Sequence, residues 1–545
     1  MTTTLLRGVA ASPGLADGVA LRYDGSASAQ RVTPATDVAH ASQLVVTDLR
    51  GRIEEASTAE GRAVLEALVM FASDPELLAQ TQQRVDSGEA APDAVRAAAG
   101  GYAVMLRGLG GYMAERADDV VDVGERLAAA LEGRVFASLP SPGHPYVLVA
   151  KDLAPADTAL LDPAVVIALV TEQGGPTSHT AILARSLGIP AVVAIRGARD
   201  VMDHQRVVVD GSSGEVHVDP TFDAVAELAR REEVRLARLS AATGPGATSD
   251  GVSVPLLVNV GTVRDAEAAA GSDAEGVGLF RTEFLFLGRQ EEPTLDEQVE
   301  QYSSVLTAFA GRRVVFRTLD AGSDKPLPFL HLPDEENPAL GVRGLRTARV
   351  RPDILDTQLT AIAIATERTG GSPWVMAPMV ATVDEARWFA RVAADAGLRK
   401  VGVMIEVPAA ALRSAQVLAE VSFASIGTND LGQYALAADR QLGELGSLLD
   451  PWQPGLLELV AATCRGGEVT GASVGVCGEA AADPELALVL VGLGVRSLSM
   501  SPVALQGVRG TLGSVDLATC REAASRALAA SSAQEARAAV KALVG

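Results

Sequence analysis

The chain has little of what several common protein classes are built from. Its 545 residues include only three cysteines, Cys464, Cys477 and Cys520, with no CxxC or Cys/His spacing around them. That excludes a disulfide framework and a thiolate zinc site, and it suits a reducing compartment. Aromatic residues make up 4% of the chain, a mix that favours helices and α/β layers over sandwiches. No apolar run is long enough to span a bilayer. The opening "MTTTLLRGVAASPGLADG" lacks a charged segment followed by a long apolar one. A cytoplasmic protein without membrane insertion is therefore expected. Basic residues are outnumbered, 46 Lys and Arg against 68 Asp and Glu, for a net charge of −22. This argues against a nucleic-acid partner, because such binding relies on Lys and Arg displacing counterions. It permits a basic protein partner, although acidity is also ordinary in soluble proteins.

What is abundant is Ala, Val, Leu and Gly, and 48% of the chain is hydrophobic. The length exceeds one ordinary domain. Residues 1–22 read as a Gly- and Pro-punctuated β segment. Residues 32–135 carry helical periodicity, and "SDPELLAQTQQRV" predicts a helix with Ser73 as N-cap and Pro75 in its first turn. Over 140–222, short β runs such as "YVLVA", "VVIALVT" and "RVVVDG" alternate with helical stretches. They predict a small α/β domain that the opening β segment rejoins, with the helical block as an insertion. Residues 223–250 read as a helical linker that ends in "SAATGPGATSDG". Beyond it, 251–545 holds eight β runs, from "VPLLVNV" to "RSLSMSP", most of them separated by helical patterns. Eight β/α units over roughly 290 residues have the rhythm of a TIM (β/α)8 barrel. Runs that are apolar on both faces suit parallel strands buried under helices. The expected fold is multidomain α/β.

A TIM barrel places its active site at the C-terminal ends of its strands, and the unusual residues of this segment fall there. The second run ends in Arg281, followed by Thr282 and Glu283. The third ends in Arg317, with Asp320 and Lys325 after it. Arg343 and Arg346 follow "ENPALG" in the next connection. The fifth run ends in Glu406, the sixth in Asn429 and Asp430, the seventh in Cys477 and Glu479. Guanidinium groups grip phosphate and carboxylate bidentately, and hard carboxylate oxygens hold Mg²⁺. The set therefore suits a multiply anionic substrate bridged by Mg²⁺. Single charges at strand ends are ordinarily solvated loop residues; several on one face are not. Cys477, taken alone, reads first as a small buried hydrophobe, and its strand-end position adds a functional reading.

A different signal lies in "GGPTSHTAILARSLGIPAVV", residues 174–193. His179 opens an apolar helical pattern that Gly188 stops. A helix N-terminus offers free N–H groups and a positive dipole end, which favour a phosphoryl group. An imidazole there can act as a nucleophile that carries phosphate. The alternative is a histidine capping or packing at a turn.

These stretches, with "GVGLFRTEFLF", "ENPALGVRGLR", "VGVMIEVPAAA", "SIGTNDLGQYALAADR" and "VGVCGEAA", closely resemble the Enzyme I family of the bacterial sugar phosphotransferase system. The resemblance covers nearly the whole chain. It implies a helical HPr-binding domain at 32–135, a swivelling α/β phosphohistidine domain at 1–22 plus 140–222, and a phosphoenolpyruvate-binding barrel at 251–545 that also dimerises. It implies that His179 accepts a phosphoryl group from phosphoenolpyruvate and passes it to the phosphocarrier protein HPr, with release of pyruvate. Arg281, Arg317 and Arg440 match substrate ligands, as do Asn429 and Asp430. Glu406 and Asp430 match ligands of Mg²⁺, and Cys477 matches a proton donor to enolpyruvate. Lys325 and Arg343 match groups near the phosphate, although "AGSDK" departs from the usual "GGDK". Acidic residues of the helical block, Glu54, Glu55, Glu60 and Glu66, could face a basic carrier. The dikinases share the histidine domain and the barrel, but the residues before the α/β segment are too few and too helical for an ATP-binding domain.

Overall fold

The apolar β runs on either side of the helical block pair with one another. The computed structural model describes residues 4–544 except 24, 26–27, 57–58, 110–115, 136–138, 176–177, 242, 288, 323–326, 331, 333–334 and 441–444. It divides into two compact units, 1–234 and 235–545.

In the first unit, β1 (Thr4–Arg7), β2 (Val9–Ser12) and β3 (Leu15–Tyr23) precede the helical block. β4 (Ser28–Arg31) and β5 (Arg134–Val135) form a small ribbon where the chain leaves for the helices and returns. β6 (Tyr146–Ala150), β7 (Val166–Thr171), β8 (Ala191–Val193), β9 (Arg206–Asp210) and β10 (Glu215–Val218) follow. The main sheet has the order β1-β10-β9-β3-β6-β7-β8-β2. Its centre, β3-β6-β7-β8, is parallel, and its flanks are antiparallel. All of β6 is buried. Leu148 and Ala150 pack on the face that also holds Ala181 and Ala184 of the helix His179–Leu187, whereas Val147 and Val149 face Val207 and Val209. A strand buried on both faces is what the uninterrupted run "YVLVA" predicts.

The insertion consists of helices Val38–Glu55, Ala59–Ala72, Pro75–Asp86, Ala91–Leu109 and Ala117–Leu131. They close over Leu49, Leu65, Leu68, Leu77, Val95 and Leu127. The third of these is capped by Asp74, not by Ser73: the Asp74 carboxylate accepts from the Glu76 and Leu77 N–H groups at 2.9 Å. Pro75 occupies the first helical position, which suits its fixed φ and makes the residue before it the cap. Ser73 instead donates its hydroxyl to the Val69 carbonyl at 2.8 Å.

A buried ionic cluster ties the helices to the sheet. Asp157 accepts from Tyr23 Oη at 2.7 Å, and from Arg52 and Arg126 at 3.2 Å each. Arg126 also donates to Asp122 at 3.0 Å, and Arg52 to Asp48 at 2.9 Å. Burial, reinforced by Asp157, pushes the Tyr23 hydroxyl pKa up. Breaking a buried pair strands the other charge in low dielectric. Asp157→Ala is therefore expected to destabilise the first unit by about 3–5 kcal/mol, seen as a lowered transition in calorimetry of the full chain. An unmoved transition would contradict the role given to this cluster.

The second unit is a closed barrel of parallel strands in chain order: β11 (Leu256–Val260), β12 (Gly276–Arg281), β13 (Arg313–Arg317), β14 (Ser372–Ala377), β15 (Val401–Ile405), β16 (Phe423–Ile426), β17 (Ser473–Val476) and β18 (Ser497–Met500). Outward residues such as Val258, Phe316, Val403 and Leu498 pack under the helices. Inward ones, among them Leu279, Val315, Met376, Met404 and Cys477, form a separate interior cluster. Thr262, Thr294 and Thr382 each open a helix with a reciprocal capping box, to Asp265, Glu297 and Glu385. These caps satisfy free N–H groups and fix where the chain turns from loop to helix.

Candidate active site

The C-terminal ends of β12, β13, β15, β16 and β17 bring charged residues to one face of the barrel. β13 delivers Arg317, which is 7% exposed. It forms a close ion pair with Glu283, from the short turn after β12, and lies 3.3 Å from Asp320. Burial works against its charge, but the Glu283, Asp320, Glu406 and Asp430 carboxylates more than offset this, and its pKa is raised. Thr282 anchors the turn by donating to the Arg317 carbonyl at 2.8 Å.

Asp320 is fully buried between two guanidinium groups, since Arg343 Nη2 also donates to it at 3.1 Å. The other arm of Arg343 donates to Asp430 Oδ1 at 3.1 Å and to Tyr434 Oη at 3.3 Å. Arg440 reaches the second oxygen of Asp430 at 3.3 Å and is partly exposed. Asp430 thus sits between a buried arginine and one at the rim. Asn429 and Asp430 lie in the first turn of the helix Thr428–Leu436, one step beyond the strand end expected for them. Asn429 Oδ1 accepts from the Glu479 N–H at 3.2 Å. Arg281 is exposed at the tip of β12.

Glu406 follows β15 and is fully buried. Its Oε1 accepts from the Met379 N–H at 2.5 Å. Its Oε2 is buried with no hydrogen-bond partner among the described residues. Gly427 makes room for that oxygen, because a Cβ there would lie 2.9 Å from it. Burial, and then the nearby Asp430 and Asp320 carboxylates, push the Glu406 pKa up, while Arg317 and Arg343 oppose the shift. Among the described residues no group of three or more His, Cys, Asp or Glu side chains is arranged as a metal cage. Mg²⁺ does not require one. It takes one or two carboxylates and fills its octahedron with water and substrate oxygens. The orphaned oxygen of Glu406 near Asp430 fits such a site.

Cys477 follows β17 and is 3% exposed. Its Sγ lies 3.6 Å from the Ile426 carbonyl. Burial pushes the thiol up to about 11, against a hydrogen bond from Ser425 and the charge of Arg317. The group is a thiol at neutral pH, with a proton to give. Lys325 lies outside the described residues.

His179 belongs to the first unit. It is the first residue of its helix, whose N-cap Ser178 accepts from the Ala181 N–H at 3.3 Å. Gly188 ends that helix at φ 68°, a left-handed conformation that glycine adopts without strain. Helix start and stop fall where the sequence placed them.

The residues that sequence reasoning did not assign are the partners. Glu283 and Asp320, noted at the strand ends but given no role, hold Arg317 and Arg343; Tyr434 accepts from Arg343, and Asn259 holds the Cys477 carbonyl. Tyr434 is four residues after Asp430, one helical turn on, which was the available signal. Asn259 was the polar residue inside "VPLLVNV".

Residues 237–517 match the PEP-binding domain of PEP-utilising enzymes, 142–214 their mobile domain and 7–116 their N-terminal domain. The chain is 52% identical to a phosphoenolpyruvate-protein phosphotransferase of Streptomyces coelicolor, over 99% of both chains. The chain belongs to the phosphoenolpyruvate-protein phosphotransferase family. A relative so named from Haloferax volcanii is 41% identical over 91% of this chain and 89% of its own. One from Staphylococcus carnosus is 35% identical over 97% of each. The chain is accordingly a phosphotransferase of phosphoenolpyruvate-dependent transfer.

The raised Glu406 pKa has a sign that can be measured. The folded state binds this proton more tightly than the unfolded chain, whose Glu titrates near 4.5. Without metal, the stability it contributes is full below that value and is lost as pH rises through the folded pKa. Glu406→Gln should flatten the fall in melting temperature of the metal-free barrel over that alkaline-going range. An unchanged slope would contradict the assignment.

Proposed function

We propose that the chain is the first general component of a cytoplasmic sugar phosphotransferase system. It takes a phosphoryl group from phosphoenolpyruvate onto His179 and passes it to a histidine of HPr, releasing pyruvate. The observation that carries this reading is the convergence of Arg317, Arg343, Arg440, Asp430 and Glu406 on the barrel mouth, in a chain whose other unit begins a helix on a histidine.

Each group has a physical task. Arg281, Arg317 and Arg440 bind the phosphate and carboxylate of the substrate, with Asn429 beside them. The charges of Arg317 and Arg440 are held by carboxylates before substrate arrives, so little reorganisation of these two is left for the transition state. Glu406 and Asp430 would hold Mg²⁺, which when bound neutralises charge on the transferring phosphoryl group. Arg343 gives both arms to Asp320 and Asp430, so its help to the phosphate runs through the placement of Asp430. Lys325 is assigned beside the phosphate from the resemblance alone. The His179 imidazole attacks phosphorus, and the Cys477 thiol protonates the enolate carbon to yield pyruvate.

The histidine must be loaded at one place and unloaded at another, so the α/β domain of 1–22 and 140–222 swivels, with hinges in the linker near 240–250 and at the joints with the helices at about 22–36 and 132–144. The helical domain 32–135 docks HPr, and acidic side chains such as Glu54 and Glu66 suit a basic carrier. The barrel, 251–545, also provides the homodimer contact. No helix among the described residues is long and apolar enough to cross a membrane.

Incubation with phosphoenolpyruvate and Mg²⁺ should add one phosphoryl group to the intact mass, lost in acid, and His179→Ala should not acquire it. Equal labelling of that variant would remove His179 from the reaction, and labelling from ATP would favour a dikinase. Arg440→Ala should lower kcat/KM for phosphoenolpyruvate roughly a hundredfold, as loss of one preorganised donor does. A change below about threefold would show that Asp430 is its only task.

A further inference from the structure

The barrel interior is divided lengthwise. On β13 to β16 the inward positions are Val315, Trp374, Met376, Met404 and Phe423, an apolar wall. On the opposite side, from β16 through β18 to β11, Leu257 stands among Ser425, Ser473, Gly475, Ser497, Ser499 and Asn259. Pairing registers place Phe423 opposite Ser473, Ser425 opposite Gly475, and Gly475 opposite Ser497. The hydroxyls fit because glycines leave space. A Cβ on Gly475 would lie 2.6 Å from Ser497 Oγ, and one on Gly278 would collide with Ser499 Oγ.

Ser425, Ser473, Ser497 and Ser499 share a cavity of about 20 Å³ with Arg313, enough for one water molecule. Arg313 stands at the N-terminal mouth, its guanidinium carbon 4.9 Å from the Trp374 ring centroid. Its Nη2 is buried without a hydrogen-bond partner among the described residues. At the upper end, Ser499 donates to Asn259 Oδ1 at 2.6 Å, and Asn259 Nδ2 donates to the Cys477 carbonyl at 2.9 Å. Ser425 lies one pleat repeat below Cys477 on the neighbouring strand, within hydrogen-bonding reach of its thiol. A polar seam thus runs from one mouth of the barrel to the thiol at the floor of the other.

We infer that this seam is a proton path that recharges Cys477 from the N-terminal side of the barrel. Ser425 and a cavity water are the relay, and Asn259 positions the Cys477 backbone. The inference rests on the reading of Cys477 as proton donor. Substrate covers the thiol from the active-site mouth, and the seam reaches it from below. In the donating step the S–H bond breaks as a C–H bond forms at the enolate carbon. The thiolate then takes the Ser425 proton while Ser425 Oγ takes one from the cavity water, and solvent restores the water. The net change is one solvent proton delivered to carbon, with every side chain returned to its starting state.

Two isotope exchanges on the full-length enzyme separate this from a packing role. With phosphoenolpyruvate, pyruvate and Mg²⁺ in D₂O, carbon label passing from pyruvate into phosphoenolpyruvate needs only a proton moving between Cys477 and carbon. Deuterium entering the pyruvate methyl group also needs the thiol to exchange with solvent. In Ser425→Ala the carbon exchange should stay within about threefold of the unaltered enzyme, while the ratio of deuterium entry to carbon exchange falls roughly tenfold, the low end of a lost proton-transfer group. Ser425→Thr keeps the hydroxyl and should restore the ratio. An unchanged ratio in Ser425→Ala, Ser499→Ala and their combination overturns the path, including the case in which both exchanges fall together and Ser425 merely holds the thiol. Cys477→Ala with an unaltered ratio overturns the reading of Cys477 itself, and the path with it.

Discussion

The site depends on charge held in place by charge. Arg317 and Arg343 are almost completely buried, and a buried guanidinium is tolerable only with carboxylates around it. Glu283, Asp320 and Asp430 supply them, and Asp320 is shared between the two arginines. This lattice spends no acidic group on solvent and leaves one oxygen of Glu406 without a partner among the described residues. The barrel makes it possible, since parallel strands deliver residues from distant parts of the sequence to one rim. Arg317 and Asp430 are more than a hundred positions apart, yet both contact Asp320 or its partner arginine. Rigidity there is the proposed source of catalytic power, because groups that are already oriented need no further ordering in the transition state.

The proposed carrier, His179, is organised on a different principle. Its helix is short, capped by Ser178 and closed by Gly188, and it stands on a sheet with a buried parallel centre. The ionic cluster around Asp157 joins the helical insertion to this sheet. On the proposed reading, the barrel supplies chemistry and the first unit supplies transport.

Much of this was legible in the chain itself. Apolar β runs of four to six residues, spaced by helical patterns, announce a parallel barrel because both strand faces are buried. The strand-end position of Arg281, Arg317, Glu406 and Cys477 follows from counting along those runs. What could not be read is pairing. That Asp320 sits between Arg317 and Arg343, or that Asn259 grips the Cys477 carbonyl from two strands away, depends on strand register and barrel closure. Local rules also compete: in "SDP" both Ser73 and Asp74 are good caps, and the fixed φ of Pro75 selects Asp74. Lys325 falls outside the described residues, so its place in the site rests on the resemblance.

The central claim is that the guanidinium and carboxylate lattice of the barrel, with Mg²⁺, forms the phosphoenolpyruvate site by itself. Titration calorimetry of phosphoenolpyruvate into His179→Ala tests it most directly, since that variant keeps the barrel and cannot turn over. The account predicts saturable binding, one molecule per chain, that requires Mg²⁺ and disappears in the His179→Ala, Asp430→Asn double variant. Equal binding without Mg²⁺, or binding undiminished by loss of the Asp430 charge, would contradict it.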